Sequence, residues 1–233
     1  MKSKLFLGFS LAEVLISMAV IGIIAAITVP VVTSHYQKQA LLTMLQKNYV
    51  ELDENLTTLQ TENYHTKLYG TFLAKGTSGV QRFFSDYYNV KKYCGATAQP
   101  CFASSYASID NPSSSADFTC AGYSVTVASG AAICIIPAAK TTSTDETTGT
   151  EVETKSPATV YIDVNGAETP NISGRDLFRL FIYEDYTADE VDPTLTNDEK
   201  TTARATLSEQ CLTSNTGDGC FTKIYNDNWK MNY

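Results

Sequence analysis

Three groups of residues in this chain of 233 have types and spacings that could do chemistry. The first is six cysteines, Cys94, Cys101, Cys120, Cys134, Cys211 and Cys220. An even number, clustered in pairs, fits disulfides closed in an oxidising compartment. Zinc is the competing chemistry, but no pair has the short gap of a zinc knuckle, and the only histidines, His35 and His65, lie far upstream. Six cysteines allow fifteen connectivities, and loop closure favours neighbours in sequence without fixing them. The second group is the oxygen donors Asp163, Asn165, Asn171 and Asp176, carried by Tyr161-Ile-Asp-Val-Asn-Gly, Pro170-Asn171 and Gly174-Arg175-Asp176. Hard cations such as calcium want several oxygens, so this run is a calcium candidate. The plainer reading is a turn held by Asn and Gly, and EF-hand spacing is absent. The third is one acid, Glu13, the sole charged residue in an apolar run over residues 9–32.

The elements that would position Glu13 follow from that run. As a helix rising about 1.5 Å per residue it reaches roughly 36 Å, enough to cross a hydrocarbon core of about 30 Å. Lys2 and Lys4 precede it with no acid among residues 1–8, which predicts a cytoplasmic N-terminus and an exported remainder. A secretory signal would not carry Glu13, and Gly8 precedes the apolar run instead of following it. Cutting after Gly8 would leave the whole hydrophobic helix on the mature chain and create an amine on Phe9. That amine is a natural counter-ion for the glutamate of a neighbouring copy in a water-poor core. Two plainer readings stand beside this one. One is a signal anchor that tolerates Glu13 near the interface, and the other is signal-peptide cleavage near Ala25-Ala26.

The segment Gly8-Phe9-Ser10-Leu11-Ala12-Glu13-Val14-Leu15 resembles the prepilin processing site of type IV pilins and type II secretion pseudopilins. In that family a membrane peptidase cuts after the glycine and methylates the new terminus. The resemblance implies that Gly8 supplies the cleavage site, Phe9 the methylated terminus and Glu13 the acid for subunit docking. Ala12 departs from the usual large aliphatic residue. Gly22 and Pro30 match positions where family helices loosen, in keeping with the helix-disfavouring physics of both residues. The family also implies an α+β fold, a long helix packed on an antiparallel sheet domain. The implied partners are other pilin subunits, a prepilin peptidase, an inner-membrane assembly platform and the membrane itself. The implied location is a single-pass inner-membrane protein that passes into a periplasmic or cell-surface filament. A C-terminal disulfide often frames a contact region in pilins, and Cys211 with Cys220 is similar in placement.

Residue patterning gives the same outline. Residues 1–8 read as a leader, 9–64 as one long helix with its membrane part at about 9–32, and 65–233 as a globular α+β domain. Leu41, Leu45, Tyr49, Leu52, Leu56 and Leu59 recur at helical spacing and predict a core-facing stripe. A second helix is predicted over residues 80–93, its exit stapled by Cys94 and Cys101. Residues 104–115 read as a Ser-rich loop, and residues 140–157 as a flexible loop without apolar period. Strands are predicted at 123–128, 131–136, 158–164 and 177–183, the first two joined by Ser129-Gly130 in a hairpin. The acidic run Glu184, Asp185, Asp189, Glu190, Asp192, Asp198 and Glu199 reads as solvated loop. Trp229, Met231 and Tyr233 are expected to dock on the domain.

Function classes narrow accordingly. A net charge of −8 argues against a nucleic-acid-binding face, so no nucleic acid is expected among the partners. The two histidines make no Ser-His-Asp or metal-hydrolase pattern, and no glycine-rich phosphate loop follows a strand. The chain is therefore expected not to be an enzyme. Polymerisation as a filament subunit leads. A membrane-anchored exported binding module or enzyme that does not polymerise is the alternative.

Overall fold

The computed structural model describes residues 10–144, 151–156 and 158–233. Helix α1 runs over Leu11–Asn63 and includes Pro30. The chain divides into two compact units between Ala40 and Leu41.

In the first unit, every described side chain from Ser10 to Ala40 is exposed apart from Ala25 and Lys38, which are half-buried. Leu11, Ile16, Ile21 and Ile27 are more than half exposed although all are strongly apolar. Over residues 11–32 the helix is apolar on every side apart from Glu13, Ser17 and Thr28, so it has no polar face to give to water, whereas residues 33–39, Thr-Ser-His-Tyr-Gln-Lys-Gln, are polar.

The second unit starts on the continuing helix, where the apolar residues become periodic. Leu41, Leu45, Leu52, Leu56 and Leu59 are buried, and Asn48 lies in the same buried row. Each fully buried leucine contributes about 2 kcal/mol. Asn48 is bonded on both sides: its Nδ2 donates to Met44 O at 2.7 Å, and Ser129 Oγ donates to its Oδ1 at 3.0 Å. That second bond ties the helix to a β-turn 81 residues away. Tyr49, predicted in the stripe, is half-buried and gives its hydroxyl to Ala188 O at 3.1 Å.

Two short 3-10 turns, Leu68–Gly70 and Phe72–Ala74, lead to α2 over Thr77–Tyr87. The strands are β1 Val90–Gly95, β2 Ser105–Ala107, β3 Ser115–Asp117, β4 Tyr123–Val127, β5 Ala132–Ile136, β6 Ala139–Thr144, β7 Glu151–Ser156, β8 Ala158–Asp163, β9 Leu177–Ile182 and β10 Ala188–Asp189. Helices α3, Asn197–Gln210, and α4, Cys220–Asn226, close the chain. Six strands form one sheet in the order β1-β4-β5-β8-β9-β10, every pairing antiparallel. The fold is α+β, one long N-terminal helix with an antiparallel sheet domain.

Period-two alternation gives the sheet two covered faces. Ile133, Ile135, Val160, Leu180 and Ile182 join the α1 leucines, Phe83 and Phe84 in one buried cluster. Ala132, Cys134 and Leu177 face a second, smaller cluster with Phe102, Tyr106 and Phe118. Disulfides Cys94–Cys101 and Cys120–Cys134 belong to this second layer, and Cys211–Cys220 closes the third pair. All three bonds join sequence neighbours.

Four expectations are corrected. The second helix stops at Tyr87, and residues 90–95 are strand, so Cys94 staples a sheet edge and not a helix exit. Tyr88 is already extended, and Val90 pairs with Val127 of β4: sheet pairing outweighs the local helical spacing. Residues 139–144 and 151–156 form a two-stranded ladder where a loop is predicted. The β-branched threonines there favour strand without an apolar alternation to announce it. The Ser-rich stretch contributes β2 and pairs it with β3. In the acidic run, Glu190 is buried, while Asp198 and Glu199 lie in the first turn of α3. Thr196 caps that helix in a reciprocal box with Glu199, a Thr-x-x-Glu signal legible in the sequence.

Candidate functional sites

Gly8 and Phe9 lie outside the described residues. From Ser10 onward the start of α1 is described by itself. Ser10 N–H donates to Glu13 Oε2 at 2.9 Å, and Glu13 N–H donates to Ser10 Oγ at 3.3 Å. This is a capping box, which satisfies two orphan donors of the helix start. Glu13 thus has a partner within its own chain, at an exposed position. The Ser-x-x-Glu spacing was its signal. Farther along, a Cβ added to Gly22 would meet nothing within 4 Å, so no contact in the chain itself demands glycine there. Pro30 lies inside the helix and has no N–H to give Ala26 O. Thr33 Oγ1 bonds Val29 O at 2.9 Å and Pro30 O at 3.1 Å beside it. This helix is long and apolar enough to cross a membrane.

The four oxygen donors lie at one end of the sheet. Asp163 ends β8 opposite Leu177, the first residue of β9, and Asp176 precedes Leu177 in sequence. Val164 N–H donates to Asp176 O at 2.9 Å, which clamps the two strands at this end. Both aspartates are fully buried. The Tyr106 hydroxyl donates to Asp163 Oδ2, and Asn165 N–H donates to its Oδ1 at 3.2 Å. Burial raises the Asp163 carboxyl to about 8, with the Asp176 charge adding to the rise. Asp176 Oδ1 accepts Ile172 N–H at 2.6 Å, and burial raises this carboxyl to about 6. Asn165 Nδ2 donates to Glu168 O at 2.7 Å and Thr169 O at 3.2 Å, so the same turn is closed by an amide as well.

Beside this turn sits the C-terminal disulfide loop. Gly174 and Gly217 approach so closely that a Cβ on Gly217 would fall 2.2 Å from Gly174 N, and both have positive φ. Neither position admits a side chain. Arg179 Nη2 pairs with Asp218 Oδ1 at 2.9 Å, and the Tyr233 hydroxyl donates to Gly174 O at 2.7 Å. Met231 is buried and Trp229 packs on Tyr49 and Phe221, so the chain end is docked on its domain. Glu190, which sequence reasoning placed in solvent, accepts Gly219 N–H at 2.5 Å and Thr222 N–H at 2.8 Å. It therefore caps α4 at the disulfide, and burial raises its carboxyl to about 7.

Among the described residues no three His, Cys, Asp or Glu side chains are grouped to hold a metal. The arrangement of long helix and antiparallel sheet domain is pilin-like. No protein-family model, curated protein or solved structure matches the chain.

Proposed function

We propose that this chain is a subunit of a type IV pilus or type II secretion pseudopilus whose activity is self-assembly. The observation that carries this reading is the apolar stretch of α1 over residues 11–32, exposed at every described side chain but the half-buried Ala25, in a chain whose second unit closes its own core. Such a surface needs lipid before assembly and neighbouring copies after it. In this reading prepilin peptidase cuts after Gly8, Phe9 becomes the methylated terminus, and an inner-membrane platform feeds the chain into a periplasmic or surface filament. The segment before the cut stays cytoplasmic. Glu13 pairs with the Phe9 amine of an adjoining subunit and sets register more than affinity. No catalytic chemistry is assigned to the chain.

A second reading has one observation in its favour. The Ser10–Glu13 capping box gives Glu13 a local task, which suits an anchored exported protein that does not polymerise. Glu13→Gln separates the two, because glutamine also serves in a capping box while losing the charge. Mass spectrometry of the mature terminus should find methylated Phe9 in both wild type and variant. Filaments sheared from cells should then be abundant for wild type and missing for Glu13→Gln. Normal filaments from the variant would remove the pairing, and a mature terminus beyond Glu13 would remove the whole reading.

A further inference from the structure

The β10 edge of the sheet, tied to α3 by the Asp189–Arg204 ion pair, carries two hollows that self-assembly through α1 does not use. The larger, of about 460 Å³, is lined by Lys67, Tyr69, Tyr183, Glu184, Asp185 and Lys200 among others. The smaller, of about 230 Å³, is lined in part by Tyr49, Asp189, Arg204, Phe221 and Tyr225, and it shares Tyr183 with the first. One face of α3 serves both, because Lys200 and Arg204 stand four residues apart. Lys200 Nζ lies 4.4 Å from the centre of the Tyr183 ring, and the Arg204 guanidinium 5.9 Å from that of Tyr225.

The walls are held in place by the domain itself. Leu68 N–H donates to Glu184 O at 2.9 Å, and the Tyr186 hydroxyl donates to His65 O at 2.8 Å, which sews residues 65–68 to the turn after β9. The Tyr183 hydroxyl donates to Val191 O at 2.8 Å, and that of Tyr49 to Ala188 O at 3.1 Å. With these hydroxyls engaged inside the domain, what the two tyrosines leave for a ligand is the ring. A ring fixed beforehand takes up a ligand face at little cost in side-chain entropy. The charges of the lining cancel. Lys67 pairs with Glu184 at 3.3 Å and Arg204 with Asp189, while Lys200 and Asp185 add one charge of each sign.

We propose that the two hollows flanking Tyr183 bind a short, uncharged saccharide. A polyanion or polycation gains nothing from a lining whose charges cancel. A wholly apolar ligand would strip water from the ion pairs and give them no hydrogen bond in return. A sugar meets both halves of the lining. Its C–H faces pack on the tyrosine rings, while its hydroxyls donate to the carboxylates and accept from the ammonium and guanidinium groups. The larger hollow has the volume of a small-ligand site, and the smaller gives room for a further sugar unit across Tyr183. Lys200 is a long side chain whose contact with the ring is weak where water reaches it, so it swings aside to donate to a hydroxyl. This assignment is independent of the filament reading.

The test uses the full chain in a detergent without a sugar headgroup, titrated with neutral trisaccharides of glucose, mannose, galactose and N-acetylglucosamine. Saturation-transfer NMR should show at least one of them bound with a Kd of about 1 mM or tighter, as suits a small polar ligand on an open site. Lys200→Ala, at a half-exposed position, should weaken that binding about tenfold, the loss of one charge-assisted hydrogen bond. Lys91→Ala, on β1 at the opposite edge of the sheet, should leave it unchanged. A wild-type chain that binds none of these sugars overturns the proposal even if the variants misfold. So does a Lys200→Ala chain that binds as tightly as wild type. Tighter binding of a uronic-acid trisaccharide or of a free amino acid overturns the choice of an uncharged sugar.

Discussion

The two units of this chain use the same aliphatic residues to opposite ends. In Leu41–Tyr233, apolar side chains on α1 recur on one face, and that face is closed by the sheet. In residues 11–32 they surround the helix, and none of those described is buried. One continuous helix therefore changes its rule, from apolar all round up to residue 32, through the polar residues 33–39, to amphipathic from Leu41. The lesson is that the period of the hydrophobic residues, more than their number, states where a helix will find its partner. A stripe is completed within the molecule. A full cylinder is completed by lipid or by other molecules.

Breaking each unit in turn should give different losses. Leu52→Ala, in the buried row, is expected to cost about 2–5 kcal/mol of domain stability in chemical unfolding, while Ile21→Ala should change it by less than about 0.5 kcal/mol. Equal losses would mean that the first unit is folded into the core after all. Next, replacing both Cys120 and Cys134 by alanine opens a loop closed across 14 residues and should cost about 3 kcal/mol on the chain-entropy model. The second sheet layer should loosen first, with faster hydrogen exchange in β2 and β3.

Glu190 sharpens the comparison through pH, since the first unit's described residues contain no buried carboxylate of this kind. Its folded carboxyl, at about 7, lies above its ordinary 4.5 because burial disfavours the charge. The folded state thus holds the proton more tightly. Stability contributed by that proton is fully present below pH 4.5 and is lost as pH rises through 7, by an amount on the order of 3 kcal/mol. Asp218 and Tyr233 are the ionisable neighbours whose charges couple to it. The stability difference between wild type and Glu190→Gln should shift across pH 4.5–7 in this direction, and a flat difference would mean that Glu190 does not titrate there. The smallest effect expected is Ser129→Ala, which removes the bond to Asn48 and should cost about 1 kcal/mol in the same unfolding assay.

Much of this was legible in the residues. The leucine stripe, the 123–136 hairpin and the strands on either side of Asn165 follow from period and turn chemistry alone. Asn48 was not legible, because its burial depends on Ser129, far away in sequence, which no local pattern reveals. The same holds for Glu190, whose partners are backbone amides of α4. The hairpin of residues 139–144 and 151–156 carries threonine where an alternation would need apolar residues. The oxygen set 163–176 was visible as composition, but which of its atoms lack partners is a matter of turn geometry. At the N-terminus, Glu13 is legible as an acid in an apolar run, and the Ser-x-x-Glu spacing is the local pattern behind its reciprocal bond with Ser10.

The claim on which the account rests is that the exposed cylinder of α1 meets copies of itself. Ser17→Cys places a single unpaired thiol on that surface, because the six native cysteines are all in disulfides. Cells expressing this variant, treated with a short bis-maleimide and sheared, should yield a ladder of dimers, trimers and longer species joined through residue 17. Monomers alone, from cells that export the chain normally, would contradict the account.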